Sequence, residues 1–219
     1  MRKVLAAVFV SLDGVMQAPG GPEEDPTGGF KHGGWTFNYW DEAMGQSMGA
    51  IFGAPFDLLL GRKTYEIFAA HWPYIENDPI ADSFNRVTKY VATTSSEPLT
   101  WKNSVAIRDA AAEVAKLKQQ DGPTLLIQGS SQLIQTLLAN DLIDEFRLLV
   151  FPLVLGRGKR LFGEGTIPAA LKLVDTKVST TGVTMSTYQP AGAVTTGSFA
   201  LEEPTQAEIA RREKMKREG

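Results

Sequence analysis

The stretch Phe56-Asp57-Leu58-Leu59-Leu60-Gly61-Arg62-Lys63-Thr64-Tyr65-Glu66 constrains the fold most, because an apolar run passes almost directly into helical spacing. Residues 56–60 read as a buried strand. Tyr65, Phe68, Ala69 and Trp72 then recur at helical intervals and give the following helix one buried face. A strand feeding straight into a helix is the repeating unit of an α/β sheet. Thr64 falls at the helix start, where free backbone N–H groups point outward and an anion is favoured. Arg62 and Lys63 add positive charge beside those donors, and a guanidinium grips a phosphate through two parallel hydrogen bonds. The stretch is a candidate nucleotide-phosphate site, and the same residues would equally make an ordinary solvated turn.

The rest of the chain supplies matching elements. Residues 4–10 are apolar and end in Ser11-Leu12-Asp13-Gly14, a run too short for a signal peptide and read as a first strand. Residues 17–34 hold six glycines and three prolines around Glu23, Glu24 and Asp25, which excludes a regular element and suits a lid over a site. Asn38 is the expected N-cap of a helix that buries Trp40, Met44, Met48, Ile51 and Phe52, with Asp41 and Glu42 in its first turn. Asp78-Pro79 starts a short helix. A strand at 89–93 then ends in Thr93-Thr94-Ser95-Ser96, hydroxyls at the carboxyl end of a strand, where ligands of open α/β sheets gather.

A fourth strand at 105–108 precedes a helix capped by Asp109 and stopped by Gly122. Residues 124–128 form a fifth strand, followed by Gly129-Ser130-Ser131 and a helix with Leu133, Ile134, Leu137 and Leu138 on one face. This is a second glycine turn at a helix N-terminus, and two such sites in one sheet suit a dinucleotide. Residues 146–155 contain Pro152, which predicts an edge, a bulge or a break there. Gly156-Arg157-Gly158-Lys159-Arg160 follows as a basic loop, either solvated or facing an anionic group. Residues 171–179 and 183–188 read as an antiparallel hairpin. A linker at 190–198 leads to a capping box at Thr205 and Glu208 and a charged helix, with Glu208–Arg212 and Glu213–Arg217 spaced for ion pairs.

Composition limits the chemistry. With 219 residues, 43% of them hydrophobic, the chain can bury one good core, and its net charge of −3 lacks the positive field of a nucleic-acid binder. There is no cysteine, which removes disulfides, thiolate catalysis and sulfur-based zinc sites. No transmembrane span is expected, and a cytoplasmic location is compatible. His32 and His71 lack partners at metal-ligand spacing, so no metal is expected. A Walker loop would need glycine where Phe56 stands, a dinucleotide fingerprint would need glycine at Leu161, and no Gly-x-Ser-x-Gly elbow occurs.

Four segments in this order carry a resemblance: Ser11-Leu12-Asp13-Gly14, Leu60 through Glu66, Ile127-Gln128-Gly129-Ser130-Ser131, and Leu142-Ile143-Asp144-Glu145 through Pro152 to Gly156 and Phe162. Over roughly residues 3–189 the chain resembles the dihydrofolate reductase fold and, within it, the reductase domain of the riboflavin-biosynthesis protein RibD. The resemblance implies a three-layer α/β/α domain over residues 1–190, with a mostly parallel eight-stranded sheet and a C-terminal antiparallel pair; residues 191–219 stay outside as linker and charged helical tail. It implies an NADPH-dependent reductase acting on a pterin- or pyrimidine-type small molecule, and a homodimer. Arg62, Lys63 and Thr64, with Gly61 at their head, would hold cofactor phosphates. Thr93, Thr94 and Ser95 would hold the adenosine ribose and its 2′-phosphate, and Gly129, Ser130 and Ser131 the pyrophosphate. Asp13, Asp41 and Glu42 are the candidate acids. A folate reductase and a non-catalytic nucleotide-binding protein of the same fold are the alternatives.

Overall fold

The structure, a computed structural model, describes residues 1–218. Strands β1 (Val4–Ser11), β2 (Phe56–Gly61), β3 (Lys89–Ala92), β4 (Ser104–Ile107), β5 (Thr124–Ile127), β6 (Glu145–Phe151), β7 (Leu171–Val178) and β8 (Thr184–Pro190) form one sheet in the order β4-β3-β2-β5-β1-β6-β8-β7. The six strands from β4 to β6 are parallel, and β8 runs antiparallel to both β6 and β7. Around the sheet lie α1 (Glu42–Phe52), α2 (Arg62–Ala69), α3 (Pro79–Arg86), α4 (Ala110–Gln119) and α5 (Ser131–Leu138), while α6 (Gln206–Glu218) buries no residue. No helix among the described residues is long and apolar enough to cross a membrane.

Successive side chains of a strand point to opposite faces, so the continuous apolar runs of the central strands feed two cores. Leu5 and Ala7 of β1, Leu58 and Leu60 of β2 and Leu126 of β5 pack with Met44, Tyr65 and Phe84 on the side of α1, α2 and α3. Val4, Ala6, Val8, Leu59, Leu125 and Ile127 pack with Val114, Ile134 and Leu137 on the side of α4 and α5. Each fully buried Leu or Ile contributes about 1.5–3 kcal/mol. The result is the expected three-layer arrangement.

Charged side chains also enter the core. Arg2 Nη2 donates to Asp57 Oδ2 at 2.5 Å and its Nε to the Pro123 carbonyl at 2.7 Å, with the guanidinium 5.4 Å from the Tyr90 ring centroid. Lys89 is fully buried; its Nζ donates to the carbonyls of Asn85 and Lys102 and lies 4.3 Å from the Trp101 ring centroid. Burial pushes the Lys89 ammonium down to about 8, against a smaller upward pull from the Asp57 carboxylate.

Several local expectations shift. The N-cap of α1 is Asp41, not Asn38, because residues 37–39 close a 3-10 turn and Asp41 Oδ1 accepts from the Met44 N–H at 3.0 Å. At Pro152, of the edge, bulge or break expected there, the structure has the break: β6 pairs on both sides and ends at Phe151, since a proline has no N–H for a ladder. Helix α4 ends at Gln119, short of Gly122, whose positive φ lets the chain pass over the Arg2 side chain. In α6, Glu208 takes both Arg211 and Arg212, whereas Arg217 donates to the Glu213 carbonyl and not its carboxylate.

Candidate active site

A groove of about 1470 Å³ runs across the carboxyl ends of the parallel strands. That exceeds the roughly 300–1,000 Å³ of a single small-molecule pocket and leaves room for two ligands. All ten residues expected to hold the cofactor line it: Gly61, Arg62, Lys63, Thr64, Thr93, Thr94, Ser95, Gly129, Ser130 and Ser131.

Two helix N-termini meet at its centre. Strand β2 ends at Gly61 and α2 begins at Arg62, with no turn residue between them. A β-carbon at Gly61 would stand 2.3 Å from Ser130 Oγ and 2.5 Å from Ser130 Cβ, so only glycine admits this approach. Ser130, the N-cap of α5, has φ +94° and follows Gly129 at φ +151°, which turns β5 sharply into α5. A β-carbon at Gly129 would in turn lie 3.3 Å from Thr64 Oγ1.

The capping pattern separates these two helices from the others. Asp41 caps α1, Asp78 caps α3, Asp109 caps α4 and Thr205 Oγ1 accepts from the Glu208 N–H at the start of α6. Neither α2 nor α5 has a side-chain cap. Their first-turn N–H groups are left for another acceptor, and both helix dipoles favour an anion.

At one end of the groove the β3 exit carries the hydroxyls. Thr93 is buried and its Oγ1 accepts from the Ser95 N–H at 3.1 Å. Arg108, which the sequence reading passed over as the last residue of a strand, donates to the Thr93 and Ser95 carbonyls at 3.1 and 2.5 Å and fixes this turn. Arg62 donates to Glu66 Oε1 at 2.6 Å and to the Glu97 carbonyl and Oε2, each at 3.0 Å. The bond to Glu66 leads in holding this guanidinium above its ordinary value.

At the other end lies the glycine-rich segment, folded down rather than free. Trp35 Nε1 donates to the Gln17 carbonyl at 2.8 Å, and Gln17 Nε2 donates to the carbonyls of Asp25 and Thr27. Lys159 pairs with the Asp25 carboxylate, which gives one member of the basic loop a structural role. Phe9 and Met16 line the groove beneath this segment, and Phe9 packs edge-on against Trp40 and Phe151.

The three candidate acids are not on the groove. Asp13 accepts from the Ser11 hydroxyl at 2.6 Å and from the Leu155 and Gly156 N–H groups at 3.1 and 2.8 Å, tying the β1 exit to the loop after β6. Desolvation raises its carboxyl, but these bonds outweigh it and hold the group below its usual value. Asp41 accepts from Met44 and, through Oδ2, from the Thr180 N–H and hydroxyl; the Met44 bond leads in lowering it. Glu42 is exposed and accepts from Gln46. Of the carboxyls that line the groove, Glu23, Glu24, Asp25 and Glu66, Glu24 is the one that burial raises; its Oε2 accepts from the Gly20 and Gly21 N–H groups at 2.5 and 3.1 Å. Its signal in the sequence was the acidic triplet inside the glycine-rich segment, without a periodicity to say which acid turns inward.

A β2–α2 junction and a β5–α5 junction meeting over one groove, on a sheet that closes with an antiparallel pair, define a class of protein. The fold is that of dihydrofolate reductase: the Enterococcus faecalis enzyme complexed with NADP(H) superposes with a TM-score of 0.53 at 16% identity, covering 86% of this chain and 96% of that one. More particularly, residues 2–185 match the model of the RibD C-terminal domain, and the chain belongs to that family. A protein assigned to riboflavin biosynthesis in Shewanella sp. PV-4 has a TM-score of 0.61 at 22% identity, covering 86% of this chain and 99% of that one. The uncharacterized Bacillus subtilis protein YwjB is 32% identical over 178 residues, 80% of this chain and 91% of its own length.

Proposed function

We propose that this chain is an NADPH-dependent reductase that transfers hydride to a pterin- or pyrimidine-type acceptor, in the manner of 5-amino-6-(5-phosphoribosylamino)uracil reductases. The observation that carries the reading is the pair of uncapped helix N-termini, α2 and α5, set side by side beneath one groove. Bound NADPH would supply the hydride, and the protein's task is to bind, align and exclude water. Backbone N–H groups at the starts of α2 and α5 hold phosphate oxygens, and the close approach of Gly61 to Ser130 keeps the two donor sets at a fixed spacing. Thr93, Thr94 and Ser95 offer hydroxyls to the ribose. Arg62, released from Glu97, meets the 2′-phosphate, with Lys63 beside it.

Glu24 is the groove-lining carboxyl with a raised affinity for its proton, and it replaces Asp13, Asp41 and Glu42 as the proton source in this reading. The commitment of Asp41 to Met44 and Thr180 weighs against the folate-reductase alternative, which needs a free carboxylate on the first helix. A homodimer is part of the same proposal, and sedimentation tests it. The cofactor assignment is tested by calorimetric titration with NADPH and NADH: preferential binding of NADPH supports it, and no binding of either removes it.

A further inference from the structure

The two ends of the groove carry opposite charge. Around the β3 exit stand Arg62, Lys63 and Arg108, with Glu66 paired to Arg62. At the glycine-rich end stand Glu23, Glu24 and Asp25, against one groove-lining cation, Lys159, already paired with Asp25. Arg160 on the same basic loop is turned away: it donates to the carbonyls of Asp13 and Gly156. His71 also lines the groove. Between these groups the surface is apolar, formed by Phe9, Met16 and Trp72.

A phosphate monoester carries about −1.5 to −2 charge at neutral pH and is normally met by arginine clusters or free N–H groups. Among the described residues that line the glycine-rich end, no lysine or arginine is left unpaired for that purpose, and Arg157 of the basic loop lies outside the groove. Its two nearest loop N–H groups, of Gly20 and Gly21, are taken by Glu24 Oε2. An anionic acceptor there would face the acidic side chains of Glu23 and Glu24, neither of which has a salt-bridge partner among the described residues, across a groove that focuses the field.

We infer that the acceptor reduced by this protein is an uncharged or cationic planar heterocycle without a phosphate group, seated on Phe9 and Met16 beneath the acidic rim of Glu23 and Glu24. The inference rests on the reductase reading. It departs from that reading's phosphorylated model substrate, and it equally disfavours dihydrofolate, whose glutamate tail is anionic.

The test uses two matched pairs of acceptors: ribosylaminouracil with its 5′-phosphate, and dimethyldihydropterin with dihydrofolate. NADPH binding is measured first by calorimetry, so that failure of the cofactor reading is seen separately. Initial rates of NADPH oxidation then rank the acceptors, and calorimetry on the NADP+-saturated protein gives their affinities without turnover. The uncharged member of at least one pair is expected to be preferred by roughly tenfold or more in kcat/KM at low salt, the gap closing as salt screens the rim. The Glu23→Gln/Glu24→Gln double variant is expected to raise the affinity of the anionic members relative to their neutral partners by roughly tenfold, read by calorimetry on the NADP+-saturated protein so that loss of the Glu24 proton source does not enter. Preference for the anionic members, an anion affinity unmoved by the double variant, or NADPH binding with no oxidation by any of the four compounds would each overturn the inference.

Discussion

Ser130 Oγ lies 2.3 Å from the point that a β-carbon on Gly61 would occupy, so the start of α2 and the start of α5 approach this closely only because Gly61 has no side chain. Ser130 Cβ is 2.5 Å from the same point, so a hydroxyl rotation cannot relieve the clash. Gly61→Ala is expected to destabilise the fold by about 1–3 kcal/mol, the usual cost of overpacking. Separating the two donor sets should also weaken NADPH binding by roughly tenfold or more. Chemical denaturation and calorimetry measure the two effects, and adding Ser130→Gly to Gly61→Ala should recover most of the binding.

Arg62 is held by Glu97 and Glu66, so the 2′-phosphate of the proposed cofactor would have to compete for it. Arg62→Ala should weaken NADPH by roughly ten- to a hundredfold, the worth of charge-assisted hydrogen bonds, and change NADH affinity little. Glu97→Gln should act in the opposite direction and tighten NADPH severalfold. Parallel titrations of the two cofactors with both variants give the answer.

Lys89 makes a prediction about stability. Its ammonium in the folded protein has a value of about 8 against an ordinary 10.5, so between those values the unfolded chain binds more protons than the folded one. Stability contributed by this residue is lowest below pH 8 and rises as pH climbs toward 10.5. The rise is at most about 3 kcal/mol, because the Asn85 and Lys102 carbonyls and the Trp101 ring favour the charged form and work against burial. Urea unfolding of wild type and Lys89→Met across this range should show the slope in wild type and a flatter curve in the variant.

Asp13 is expected to behave as a structural clamp. Its lowered carboxyl contributes stability that is present above its unfolded value and lost as pH falls through the folded one. Asp13→Asn should cost about 1–2 kcal/mol at neutral pH through its bonds to Ser11, Leu155 and Gly156, with a smaller loss at acid pH. NADPH affinity should stay within about twofold, and a large loss of affinity without loss of stability would return Asp13 to the site.

What the sequence made legible was set by local chemistry. The run from Phe56 to Glu66 announced a β–α junction because strand and helix periods abut there, and the same logic found Gly129-Ser130-Ser131. The acids were illegible for a different reason. Asp13 and Asp41 look reactive in a sequence, but each is engaged by backbone N–H groups 142 and 139 residues away, a match that no local spacing reveals. Glu24 gains its environment only when residues 17–34 fold back through Trp35 and Gln17, in a segment without periodicity. The buried roles of Arg2 and Lys89 were hidden likewise, since lysine and arginine are rarely buried and their partners lie on other elements.

The central claim is that the bare N-termini of α2 and α5 grip the cofactor's phosphates together. Amide hydrogen exchange with and without NADPH measures this directly at Arg62, Lys63, Thr64, Ser131, Gln132 and Leu133. The account predicts slowed exchange at both sets on NADPH addition, reduced at both by Gly61→Ala. Saturating NADPH that leaves either set unchanged while protecting amides elsewhere would contradict it.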